Sequence, residues 1–354
     1  MDTQKVYSWQ MTGLNEPFQL VKKPLPELQE GEVLIKVAGC GVCHTDLSFW
    51  HYGVKTRGEL PLTLGHEISG TVVAGEPEWL GKNVILPAVL PCGECEFCRS
   101  RRSNVCRNQL MPGNDFDGGF ASHVKTPARF ICPVPDTALE KYPLEELAVV
   151  ADAVSTPYQV VQKSELEPGD FAIAIGVGGI GIYGAQIAKL KGATVLAVDV
   201  SAEKLKMAEA VGIDATLNIR EMDNKTVKSR VKEIAKSLNA PRYRWKIFEM
   251  SGTKAGQELA FSLLTFGSTF SVVGFTMDKP EVRLSNLMAF DAKLIGTWGC
   301  RAELYPEIVD LIAAGRIRIK PFLEKFPMSR INEVFQNTLK HKYLKRSILV
   351  PDFA

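Results

Sequence analysis

The chain carries almost no net charge: 42 basic against 40 acidic side chains leave a formal +2, so nothing electrostatic marks a nucleic-acid or membrane-surface partner. It lacks any apolar run near the roughly twenty residues of a membrane span. Its opening stretch, MDTQKVYSWQ, has no apolar core of the kind an export signal needs. Repeats of solenoid length and low-complexity tracts are missing too. These absences point to a globular, cytoplasmic protein, and 354 residues at 45% hydrophobic content suffice for a large core spread over two domains. Histidine is scarce at five and cysteine few at eight, yet seven cysteines and four histidines fall before residue 133. In a reducing compartment such a concentration suggests metal ligation rather than disulfides.

The most informative stretch is Phe171 to Val200, FAIAIGVGGIGIYGAQIAKLKGATVLAVDV. A buried-strand type of run is followed by the glycines Gly176, Gly178 and Gly181, with Gly179 and Ile180 between them, then by a helical pattern and a second strand. Gly176 allows a tight turn, Gly178 lets backbone approach a pyrophosphate, and Gly181 lets the helix press on the strand. The helix start offers unpaired N–H groups to phosphates. Asp199, about twenty residues on, suits the adenosine ribose hydroxyls and would repel a 2′-phosphate. NAD is therefore expected over NADP.

Before this unit, strand-like runs alternate with Gly and Pro, as in an irregular β-rich body. Cys92, Cys95, Cys98 and Cys106 follow a C-x2-C-x2-C-x7-C spacing that suits four thiolates around one structural zinc, with an iron–sulfur cluster as the chemical rival. Cys43, His66 with Glu67, and Asp152 form a second candidate set: one thiolate, one imidazole and one carboxylate leave a coordination position open. Spacing alone does not pair these three, and each can be read as core or hydrogen-bonded filler. Beyond Asp152 comes the strand–helix alternation of a parallel sheet, with SAEKLKMAEAVG, Arg230 to Asn239 and KAGQELAFSLL as helices and LIGTWG as its last strand. YPEIVDLIAAG and INEVFQNTLK read as further helices, and SILVPDF as a final strand.

GCGVCHTD, GHEISG, CGECEFC with Cys106, DGGFASHV, GVGGIG and the terminal KRSILV together resemble the zinc-containing medium-chain alcohol dehydrogenases over the whole chain. That resemblance implies an α/β protein: a doubly wound Rossmann sheet inserted into a discontinuous, Greek-key, GroES-like β-rich catalytic domain. The expected division is 1–153 for the catalytic domain with a zinc lobe at about 91–107, 154–297 for the NAD-binding domain, and 298–354 for the returning segment. It also implies two zinc ions per chain. Cys43, His66 and Asp152 would hold the catalytic one, Asp152 standing where many members have cysteine, and Glu67 would be able to approach the metal. Asp46 would orient His66, Thr45 would meet the substrate oxygen, Asp199 and Lys204 the adenosine ribose, and Arg346 the pyrophosphate. Ser48 takes the place of a relay histidine, leaving water or His51 as proton routes.

MPGNDFDGGFASHV, VVADAVSTPYQ and GCGVCHTDLSFW resemble more narrowly the 6-hydroxycyclohex-1-ene-1-carbonyl-CoA dehydrogenases, which oxidise a ring alcohol carried as a thioester. The implied substrate is then an alcohol or ketone joined to CoA, whose phosphates Arg57, Arg99, Arg101, Arg102 and Arg107 could meet; a solvated basic face is the alternative reading of the same arginines. A secondary-alcohol, polyol or amino-alcohol dehydrogenase is the alternative within the fold, and a non-catalytic nucleotide sensor the alternative outside it. A homodimer or homotetramer is expected, with LIGTWG as a pairing strand.

Overall fold

The structure is a computed structural model and describes residues 5–353. It divides into two compact units. One comprises the chain up to Ser155 together with 299–315 and the stretch from Phe322 onward; the other comprises Thr156–Trp298 and Arg316–Pro321.

The first unit is built on a seven-stranded sheet. Glu32–Gly41 lies at its centre, paired antiparallel with Glu67–Gly75 and His123–Pro127 and, at Cys40 and Gly41, with the late strand Arg346–Val350. A smaller sheet of three strands joins Gln19–Pro24, Lys5–Met11 and Leu62–Thr63. Phe18, Trp50, Phe120 and Phe335 fill the core with edge-on and stacked ring contacts, the offset geometries that aromatic quadrupoles favour. This core fixes the helix His44–Trp50, which carries much of the site described below.

The second unit is a six-stranded parallel sheet. In chain order its strands lie 3-2-1-4-5-6, from Ala215–Asn218 at one edge to Lys293–Gly296 at the other, the doubly wound order of a dinucleotide fold. Phe171–Ile175 is buried at every residue, as a central strand covered on both faces must be. Helix starts are set by side-chain caps: Ser201 accepts from Lys204 N–H, Asp223 from Thr226 N–H and Thr253 from Gly256 N–H, each satisfying an orphan donor. The helix expected from Arg230 begins earlier, at Asn224, because Asp223 caps it and Val227, Val231 and Ala235 are its buried stripe. Among the described residues no helix is long and apolar enough to cross a membrane.

Candidate active site and metal centres

Cys43 stands at the N-cap of the His44–Trp50 helix, just after the central strand of the first unit. Its N–H donates to Asp46 Oδ2 at 2.9 Å. The other oxygen of Asp46 accepts from Gly65 N–H at 3.1 Å and meets His66 Nδ1 at 3.2 Å. One fully buried carboxylate thus ties the helix start, the turn before His66 and the imidazole together. With Nδ1 donating to Asp46, the lone pair of Nε2 is left facing inward.

That Nε2 is buried with no hydrogen-bond partner, and it lies 3.6 Å from Asp152 Oδ2. Cys43 Sγ lies 3.6 Å from the same oxygen. Donors bound tetrahedrally at zinc distances stand about 3.3–3.8 Å apart, so the three groups fit one ion. Including Glu67, the four ligand atoms lie within 4.8 Å of one another. Burial works against a charged His66, but the carboxylates of Asp46 and Asp152 outweigh it and hold the ring's pKa well above its usual value. The pocket wants a cation at Nε2, whether proton or metal.

Glu67 is not turned fully to that centre. Its carboxylate takes the guanidinium of Arg346 in a two-point pair, Nε to Oε2 at 3.0 Å and Nη2 to Oε1, and both residues are buried. Burial raises the Glu67 pKa and the arginine opposes the rise. Gly41 makes room for the pair, since a Cβ there would sit 1.9 Å from Glu67 Oε2. The family resemblance implies a pyrophosphate contact for Arg346; its fork also engages Glu67, a partnership across 279 residues that no local signal announces. Replacing Arg346 with Met should cost about 3–5 kcal/mol in urea unfolding by stranding a buried carboxylate. Adding Glu67→Leu to that variant should recover most of the loss.

Thr45 Oγ1 lies 3.7 Å from Cys43 Sγ. Ser48 is buried and donates to the Thr45 carbonyl at 2.7 Å, while His51 Nδ1 meets Asn15 Oδ1. Both are therefore occupied locally.

The second metal set is closed. Sγ separations are 3.5 Å for Cys95–Cys98, 3.7 Å for Cys95–Cys106 and 3.9 Å for Cys92–Cys98, near the spacing of about 3.8 Å expected for four thiolates on one zinc. Backbone N–H groups of Cys92 and Asn108 point at Cys106 Sγ and that of Cys95 at Cys92 Sγ, contacts that favour thiolate, while burial pushes the Cys98 and Cys106 thiols up. Four protein donors leave no open position.

In the second unit Gly176 has φ +80, and a Cβ on it would lie 2.6 Å from Ser251 backbone. One on Gly181 would lie 1.7 Å from the Gly176 carbonyl oxygen, whereas one on Gly178 would meet only Lys204 Nζ at 3.6 Å. Gly179 and Ile180 complete the turn into the Gly181–Leu190 helix. Asp199 ends the next strand, its oxygens accepting Val177 N–H at 2.9 Å and Ser201 N–H at 2.8 Å. The carboxylate therefore sits against the glycine turn with lone pairs to spare.

Residues 29–136 match the family "alcohol dehydrogenase GroES-like domain" and residues 179–314 the family "zinc-binding dehydrogenase". An alcohol dehydrogenase of Geobacillus stearothermophilus is 32% identical over 331 residues, covering 92% of this chain and 93% of its own. A D-arabinose 1-dehydrogenase (NADP(+)) of Saccharolobus solfataricus is 29% identical over 350 residues, covering 95% of each. The structure of an acetophenone reductase from Geotrichum candidum, in complex with NAD, superposes with a TM-score of 0.85 at 25% identity, covering 99% of this chain and 98% of that one. Fold, zinc-binding residue sets and sequence agree: the chain belongs to the zinc-containing medium-chain alcohol dehydrogenase family.

Proposed function

We propose that the chain oxidises a secondary ring alcohol with NAD, the substrate being a 6-hydroxycyclohexene carboxylate carried as a CoA thioester. The observation that carries the chemistry is the open three-donor set of Cys43 Sγ, His66 Nε2 and Asp152 Oδ2, with the Thr45 hydroxyl 3.7 Å from the cysteine sulfur. Bound there, zinc supplies the positive charge that lets an alcohol lose its proton near neutral pH, and NAD accepts the hydride. The rest falls to the chain's own side chains. Asp46 keeps the His66 tautomer that presents Nε2. Thr45 receives the hydroxyl proton of the substrate and passes a proton on, with water or His51 as the onward route. Glu67 is held back by Arg346, whose remaining N–H groups suit the cofactor pyrophosphate.

Asp199 favours NAD, since a 2′-phosphate beside its carboxylate meets like charge. The thioester reading is supported by the sequence likeness in MPGNDFDGGFASHV and VVADAVSTPYQ and by exposed Arg99, Arg101, Arg102 and Arg107, cations suited to CoA phosphates. None of the eight cysteines is in a disulfide, which suits a cytoplasmic setting. Self-association through the open edge of strand Lys293–Gly296, beside exposed Met288, Leu294 and Trp298, gives a homodimer or homotetramer, to be read by sedimentation.

The test is NADH absorbance when zinc-replete protein and NAD meet 6-hydroxycyclohexenecarbonyl-CoA, beside simple secondary alcohols and sugars. Turnover of the thioester alone supports the proposal. Preference for a free alcohol or for D-arabinose refutes the CoA substrate, and preference for NADP refutes the role of Asp199.

A further inference from the structure

The carbonyl of Ala151 is approached by three donors, two of them from distant parts of the first unit and one from the next helical turn. Ala88 N–H reaches it at 3.3 Å, the Ser155 hydroxyl at 3.2 Å, and the Tyr305 hydroxyl donates to it as well. Ser155 Oγ and Tyr305 Oη also touch, at 3.1 Å. Both side chains are fully buried. A carbonyl oxygen has two lone pairs; Ala88 N–H and the Tyr305 hydroxyl can fill them while the single Ser155 proton is shared between that carbonyl and Tyr305 Oη, which makes this peptide a fixed point in a dry interior. The next residue is Asp152.

Asp152 follows this point directly. It stands where the 3-10 run Leu144–Ala151 ends and before the helix Ser155–Lys163 begins, with φ −143 and ψ −55, outside either helical geometry. Cys43 and His66 are both steadied by Asp46. At Asp152 the main chain just before the ligand is pinned, through the Ala151 carbonyl.

We propose that Tyr305, with Ser155, is a positioning residue for the catalytic metal: the two hydroxyls hold the peptide between Ala151 and Asp152 so that the carboxylate meets Cys43 and His66 at ligand spacing. This rests on the reading of Cys43, His66 and Asp152 as the ligand set. Removing the Tyr305 hydroxyl does not orphan the buried carbonyl, because Ala88 N–H and Ser155 remain. The ring stays in its core site. The change should therefore appear in the metal before it appears in folding.

The experiment uses full-length, zinc-loaded protein carrying Tyr305→Phe or Ser155→Ala, with Ile308→Val on the same helix as a packing control. Zinc loss to a chelator is followed by a metal indicator, the zinc at Cys92, Cys95, Cys98 and Cys106 serving as internal reference, and the visible spectrum is recorded after cobalt replaces the catalytic ion. In Tyr305→Phe the affinity for the catalytic zinc should fall about 10–100-fold, the reference zinc should stay, and the cobalt band should shift. Ile308→Val should behave as wild type. Affinity within about twofold of wild type and an unchanged cobalt band in Tyr305→Phe would overturn the proposal, as would equal zinc loss in Ile308→Val. If Tyr305→Phe does not fold, Ser155→Ala decides by the same criteria. Asp152→Ala separates the premise: if it keeps both zincs at wild-type affinity, the ligand set is wrong; if it loses one while Tyr305→Phe does not, only the positioning role is wrong.

Discussion

Cys43→Ser is expected to lower turnover at least about a thousandfold, a loss of roughly 4 kcal/mol of transition-state stabilisation, within the several kcal/mol a bound metal contributes. Serine keeps the shape of the N-cap but brings no thiolate. The Cys43 N–H to Asp46 bond uses the main chain and survives, so the helix start should hold. Zinc should fall from two to one per chain while the far-ultraviolet circular dichroism and NAD affinity stay near wild type. Retained turnover in a protein with one zinc would remove Cys43 from the ligand set.

Gly181→Ala should damage the other unit just as severely. The added methyl would stand 1.7 Å from the Gly176 carbonyl oxygen and 3.4 Å from Met250 Cβ. A main-chain oxygen cannot swing aside as a side chain does, so the helix or the turn must shift. The cost should be about 1–3 kcal/mol of stability, with NAD affinity reduced about a hundredfold or more, equivalent to some 2.7 kcal/mol. Gly178→Ala is the informative contrast. Its methyl would meet only Lys204 Nζ at 3.6 Å, so the fold should tolerate it and only the approach of a phosphate should suffer. Calorimetry of NAD binding beside thermal melts distinguishes the two. Equal loss of melting temperature in both variants would contradict this account.

What could be read from the sequence was what the chain keeps local. The glycine turn occupies six residues, the cysteine lobe fifteen, and each makes its chemical sense at short range. The family resemblance extended that reach to Asp152. Two features stayed hidden because they depend on strands and helices that meet only in the folded chain: the grip of Arg346 on Glu67 and the reach of Tyr305 to Ala151, 154 residues away. The early start of the Asn224 helix is a different case. Its signal was present in Asp223 and in the four-residue spacing of Val227, Val231 and Ala235, but the stretch between them is strongly polar, and polarity masked the period.

The late strand that brings Arg346 to Glu67 also imposes an order on biosynthesis. A ribosome adding about 5–20 residues per second needs roughly 15–60 s to travel the 279 residues between them, and the whole Thr156–Trp298 unit emerges in that interval. During it the nascent first unit has a carboxylate destined for burial and no counter-charge, with the central strand still exposed along the edge that Arg346–Val350 will cover. The nucleotide unit can therefore fold on the ribosome while the metal-binding unit waits for its late strand, and synthesis interrupted before Arg346 should yield a chain that recognises dinucleotide before it can enclose its metal.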